Sequence, residues 1–167
     1  MFSIDDLVIM GDGLVCRKKP VATMGQLAEA VARYQGRRGY RRLVAALARV
    51  RPGTDSAKET QLRLAIVDDG MPEPEVNVEI YRRDGSYLAR GDVIFRRYKV
   101  WVEYDGEQHR EDARQFHIDI DRLDDIMQEG WRLIRVNKSH LRGNRRYILG
   151  KIRRALIERG WDGTSST

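Results

Sequence analysis

The chain has 167 residues, 41% hydrophobic and 34% charged, and its 31 Lys and Arg against 25 Asp and Glu leave a formal charge of +6. That length suits one domain with a small appendage, and the apolar content is too high for wholesale disorder. No run approaches the ~18 apolar residues of a membrane span, the opening MFSIDDLVIMGDGLVC has acids where a secretory signal needs bases, and the single Cys16 excludes a disulfide framework or a cysteine-built zinc site; a cytoplasmic protein without membrane contact is expected.

Residues 1–53 read as a helical N-terminal segment. Thr23 and Gln26 have capping-box spacing, weakened by Gly25, and Leu43, Ala46, Leu47 and Val50 share one helical face. Arg51-Pro52-Gly53 breaks the chain. Ser56 to Glu59 is a second capping-box pattern, opening a helix that Gly70 closes. Val76, Val78 and Ile80 alternate with polar residues as in a strand, and Asp84-Gly85 is a hairpin signal. A second strand follows over Tyr87–Phe95, a tight connection over Arg96–Tyr98, and a third strand over Lys99–Tyr104. Phe116, Ile120, Leu123 and Met127 recur at helical spacing between about Asp112 and Glu129. Trp131–Val136 is a fourth strand, and Arg145–Arg159 a last helix with Ile148, Ile152 and Leu156 on one face. Residues 161–167 read as a disordered tail. A helix between strands three and four makes those two parallel in a mixed sheet, so residues 54–160 form an α/β domain.

Charge is unevenly distributed. Residues 33–51 carry seven bases and no acid, residues 132–159 ten bases and one acid, and residues 103–129 ten acids and three bases. Basic segments around an acidic block suit a phosphate-binding surface beside a cation centre, although a pair of solvated arginine-rich helices has the same composition. On the third strand Glu103 and Asp105 share a face, roughly 6.5–7 Å apart. A short connection near Arg97 brings Asp92 across from about residue 102, within a one-residue uncertainty of Glu103. Two carboxylates on adjacent strands form a hard oxygen site suited to Mg²⁺ or Mn²⁺. Spacing alone equally describes exposed strand-end acids, with Asp105-Gly106 a plain turn. It also favours Glu59 as a helix cap bonding the Ser56 amide, His109 as an ordinary surface or core histidine, and Asp119 with Arg122 as a helix ion pair.

Residues from about 55 to 160 resemble family 559 of the domains of unknown function, related to the very-short-patch mismatch endonucleases of the PD-(D/E)XK nuclease superfamily. Ser56 with Glu59, Arg90 with Asp92, Glu103-Tyr-Asp-Gly with His109, Asp119 with Arg122, and Gly130-Trp131 carry the resemblance. It implies a restriction-endonuclease-like αβββαβα core and a Mg²⁺- or Mn²⁺-dependent endonuclease acting on DNA. Asp92 and Glu103 match the metal-binding acids, and Glu59 the helix glutamate that often completes the site. The pattern's lysine falls at Asp105, so Asp105 or His109 becomes the candidate water-orienting group. Arg90, Arg122, Arg135, Lys138, Arg142, Arg145 and Arg146 are the candidate phosphate contacts. A homodimer and a toxin–antitoxin or repair partner are further expectations. The competing reading is an inactive nuclease core kept as a nucleic-acid-binding or antitoxin-like module; no glycine-rich phosphate loop or nucleophile motif supports a small-molecule enzyme.

Overall fold

In the computed structural model of the protein, residues 2–105 and 113–164 are described. The chain forms two compact units, Met1–Leu64 and Ala65–Thr167. The described residues give a mixed α/β structure with an N-terminal helical segment, as the periodicities suggest. Among them no helix is long and apolar enough to cross a membrane.

The first unit holds α1 (Ile4–Leu14), α2 (Met24–Arg33), α3 (Tyr40–Arg49) and the start of α4 (Ala57–Asp68). Ser3 with Asp6 caps α1, and Thr23 with Gln26 caps α2 in a full capping box despite Gly25. Val8, Val15, Ala46, Val50 and Leu64 form its apolar core. Gly11 is required there, because a Cβ on it would lie 2.5 Å from Val50 Cγ2. Charged groups penetrate this unit as well. Asp12, with no exposed surface, accepts from the Arg51 amide at 2.8 Å, the Thr60 hydroxyl at 2.9 Å and Arg63 Nη2 at 2.9 Å. Arg63 is buried as well and also donates to the Arg49 carbonyl.

The second unit is built on a four-stranded sheet in the order β1-β2-β3-β4: β1 (Glu75–Tyr81), β2 (Tyr87–Phe95), β3 (Val100–Asp105) and β4 (Arg132–Asn137). The first two pairings are antiparallel, and β3 with β4 is parallel through α5 (Ala113–Gln128). Both β3 and β4 start one residue later than the bounds expected from the sequence, Lys99 and Trp131. Lys99 adopts a left-handed φ of 49° that closes the Arg96–Tyr98 turn, so it cannot open a strand. Trp131 donates its amide to the Ile126 carbonyl and belongs to the termination of α5 at Gly130. Ile94, Trp101, Ile126 and Trp131 pack on the α5 face, with the two indoles edge-to-face at 5.7 Å.

After β4 come a six-residue helix, α6 (Lys138–Gly143), and α7 (Arg145–Glu158). A single turn is too short to show periodicity; Asn137 makes it by accepting from the Ser139 and His140 amides. Ile148, Leu149, Ile152, Ala155 and Leu156 are the buried stripe of α7. The segment beyond Gly160, read as a disordered tail, is ordered at Trp161. That side chain is buried, lies 5.3 Å beneath the Arg153 guanidinium, and donates from Nε1 to the Thr164 carbonyl.

Candidate functional site

The β2–β3 ladder runs from Phe95↔Val100 through Ile94↔Trp101 to Val93↔Val102 and stops. One step further in the same register, Asp92 lies opposite Glu103. There a side chain takes over from the main chain, and the Tyr104 amide donates to Asp92 Oδ2 at 2.9 Å. An aspartate carboxylate thus fills the place of a ladder carbonyl, which holds it between the two strands.

The strand geometry explains this placement. Residues three apart on a regular strand face opposite sides. Gly91 and Ile94 do not: a Cβ on Gly91 would run into the Ile94 side chain, 2.7 Å from Cγ1, and lie 2.9 Å from Trp101 Cε2. The alternation of β2 therefore inverts between them, at Asp92. On β1, Asn77 lies between the pairs Val76↔Val93 and Val78↔Gly91, level with Asp92, and has φ 50°. Asparagine is one of the few non-glycine residues that tolerates this conformation. An asparagine inside the run Val76-x-Val78-x-Ile80 was the available signal.

Glu103 lies on the Trp101 face, beneath α5. Arg122 of α5 places Nη2 3.3 Å from Glu103 Oε1 and also donates to the Arg90 carbonyl at 3.0 Å. Parallel pairing sets Arg135 beside Glu103 on β4. Arg122 thus brings a positive charge to the Glu103 carboxylate; its expected helix partner Asp119 has its side chain outside the described residues.

The remaining candidates are placed as follows. Glu59 lies in the first unit with only 8% exposure, and its carboxylate holds the start of α4, accepting from the Asp55 amide at 2.8 Å and the Ser56 hydroxyl at 2.9 Å. The amide it caps is thus that of Asp55, one residue before the Ser56 amide expected from spacing. Arg90 directs its guanidinium to Glu79 on β1. Arg145 and Arg146 are exposed in the first turn of α7. His109 lies outside the described residues, as do the side chains of Asp105, Lys138 and Arg142.

Among the described residues no three His, Cys, Asp or Glu side chains are grouped to hold a metal ion. Asp92 and Glu103 are a pair. Mg²⁺ needs no more from a protein when water and substrate phosphate complete its oxygen shell, so the donor chemistry fits a hard divalent cation. No family model, curated protein or solved structure matches the chain.

Proposed function

We propose that the second unit is a restriction-endonuclease-like domain that hydrolyses DNA phosphodiester bonds with the help of Mg²⁺ or Mn²⁺. The observation that carries this reading is the capture of Asp92 by the Tyr104 amide, level with Glu103. An acid from each of two bonded strands stands at the level where the ladder ends. Asp92 and Glu103 would hold the cation. When bound, it would neutralise charge developing on a phosphodiester and make a water more acidic. Arg122, anchored also on the Arg90 carbonyl, meets the charge of Glu103 and would compete with the cation for it. Asp105, the last residue of β3, and His109, four residues on in the sequence, are the groups to orient a water and accept its proton.

One observation favours the second reading, an inactive core that only binds nucleic acid. Arg122 already brings a positive charge to Glu103, where a cation would otherwise be needed. Supercoiled plasmid incubated with Mg²⁺, Mn²⁺ or EDTA separates the two. Metal-dependent nicking that disappears in both Asp92→Asn and Glu103→Gln supports the nuclease. Tight DNA binding with no nicking in any metal assigns the inactive core, and calorimetry that finds no uptake of either metal, even with DNA present, removes the cation site.

A further inference from the structure

The second unit has a basic groove on the face of the sheet away from Glu103. Arg132 opens β4 opposite Val100, and Glu103 lies three residues further along β3, roughly 10 Å away along the strand. The parity of the pairing puts Arg132 on the Val100–Val102 face and Arg135 on the Trp101–Glu103 face. On the Arg132 face, α7 leaves an open groove of about 350 Å³ lined by Arg132, Arg146, Tyr147, Gly150, Lys151 and Arg154. One acid, Glu158, lies at its end.

Three observations give the groove a ligand chemistry. First, none of its four cations has an acidic partner among the described residues. Elsewhere in the unit Arg82, Arg90, Arg96, Arg122 and Arg153 are each paired with a carboxylate, while Arg145 and Arg159 have none among the described residues. Second, Arg146, Gly150 and Arg154 follow one another at steps of four residues, about 6 Å each along the helix. Third, Gly150 sits in the middle of α7 although glycine weakens a helix interior. A Cβ there would meet nothing within 4 Å beyond the backbone of its own helix. Packing within the protein does not require this glycine. What it provides is bare helix backbone between two arginines, open to the close approach of something outside.

We infer that this groove grips the phosphodiester backbone of a nucleic acid, as a contact separate from the carboxylate pair. Arg146 and Arg154 take successive stretches of backbone across Gly150, Arg132 and Lys151 flank them, and the exposed Tyr147 ring offers a face for a sugar or base. The inference rests on the nucleic-acid reading above but not on hydrolysis.

The test measures binding of a fluorescein-labelled DNA duplex by anisotropy, in EDTA, across a salt series, with the full chain. Each lost phosphate contact lowers the slope of log affinity against log salt by about 0.9. Arg146→Gln with Arg154→Gln is expected to lower that slope by about 2 and the affinity on the order of tenfold near physiological salt. Gly150→Met, which adds bulk and helix propensity but no charge, is expected to leave the melting temperature unchanged or higher and still lose several-fold in affinity. Arg96→Gln, which removes an arginine already paired with Glu75 outside the groove, is tested alongside and should bind DNA as wild type does. Unchanged affinity and slope in the arginine variant, with wild-type binding intact, overturn the groove alone. Absence of any wild-type DNA binding overturns the nucleic-acid reading and the groove with it. Displacement of the duplex by polyglutamate at equal charge concentration assigns the groove to an acidic protein and overturns the proposal.

Discussion

Replacing Asp12 by alanine tests whether charge or packing holds the first unit together. Asp12 accepts three hydrogen bonds with no exposed surface, and Arg63, its ion-pair partner at 2.9 Å, is 1% exposed. Asp12→Ala leaves a guanidinium in the interior with the Arg49 carbonyl as a neutral acceptor. Breaking one side of such a pair costs about 3–5 kcal/mol. A unit of this size, Met1–Leu64, has about 3–10 kcal/mol to lose at typical stability per residue. The substitution is therefore expected to leave the unit near its unfolding threshold at room temperature. Asp12→Asn, which keeps one acceptor oxygen, is expected to cost about 1–3 kcal/mol. Asp12→Leu combined with Arg63→Met removes both charges and is expected to recover part of that loss, remaining about 1–3 kcal/mol below wild type because the Arg51 amide and the Thr60 hydroxyl lose their acceptor. Urea denaturation reads all of this. Trp101, Trp131 and Trp161 all lie in the second unit, so their fluorescence follows that unit while far-UV dichroism follows the helices of both. A loss below about 1 kcal/mol in Asp12→Ala would refute the reasoning, because it would mean that Arg63 reaches water without cost. So would a double variant less stable than Asp12→Ala alone.

Other outcomes follow from the same geometry. Gly91→Ala forces a methyl into Ile94 and Trp101 and is expected to cost about 1–3 kcal/mol, lowering the tryptophan-monitored melting temperature by several degrees; no change would mean the strand inversion at Asp92 is absent. Burial pushes the Asp55 carboxyl up, but Arg17 and Lys18 outweigh it and hold it below the usual aspartate range. The stabilisation this brings is complete above the unfolded value near 3.9 and is lost as pH falls through the lower folded value. Wild type and Asp55→Asn should therefore converge in urea midpoint between about pH 5 and pH 2; a gap that widens on acidification would contradict the assignment. Arg122→Gln removes the cation beside Glu103 and should tighten Mn²⁺ binding on the order of fivefold, as expected for a pair worth about 1 kcal/mol, while weakened binding in calorimetry would make Arg122 a support of the site.

Periodicity revealed much of the architecture. Val76, Val78 and Ile80, the Asp84-Gly85 turn, and the apolar stripe of α7 each report one face of one element, and an element with one buried face writes its period into the chain. Tyr87–Phe95 was legible in extent, but its internal inversion was not, because the apolar residues on both sides of Asp92 read as continuous alternation with polar gaps. The level of Asp92 with Glu103 was within the one-residue uncertainty of a short connection, and the left-handed Lys99 removed it. The partner of Arg122 was not legible. Arg122 had an acid one turn away, and only packing of α5 on the sheet brings Glu103 within 3.3 Å. Trp161 was hidden for a related reason: a lone tryptophan among small polar residues carries no period, and its burial depends on Arg153, itself tied to Asp69.

The bond from the Tyr104 amide to Asp92 has an evolutionary corollary. The aspartate that would grip an ion is also the latch that keeps the hairpin in register, satisfying a main-chain donor where the ladder ends. On the nuclease reading, a descendant without cleavage would still be selected to keep it, for folding alone. An intact aspartate at this position in a cousin of this protein would then be no diagnostic of enzyme activity.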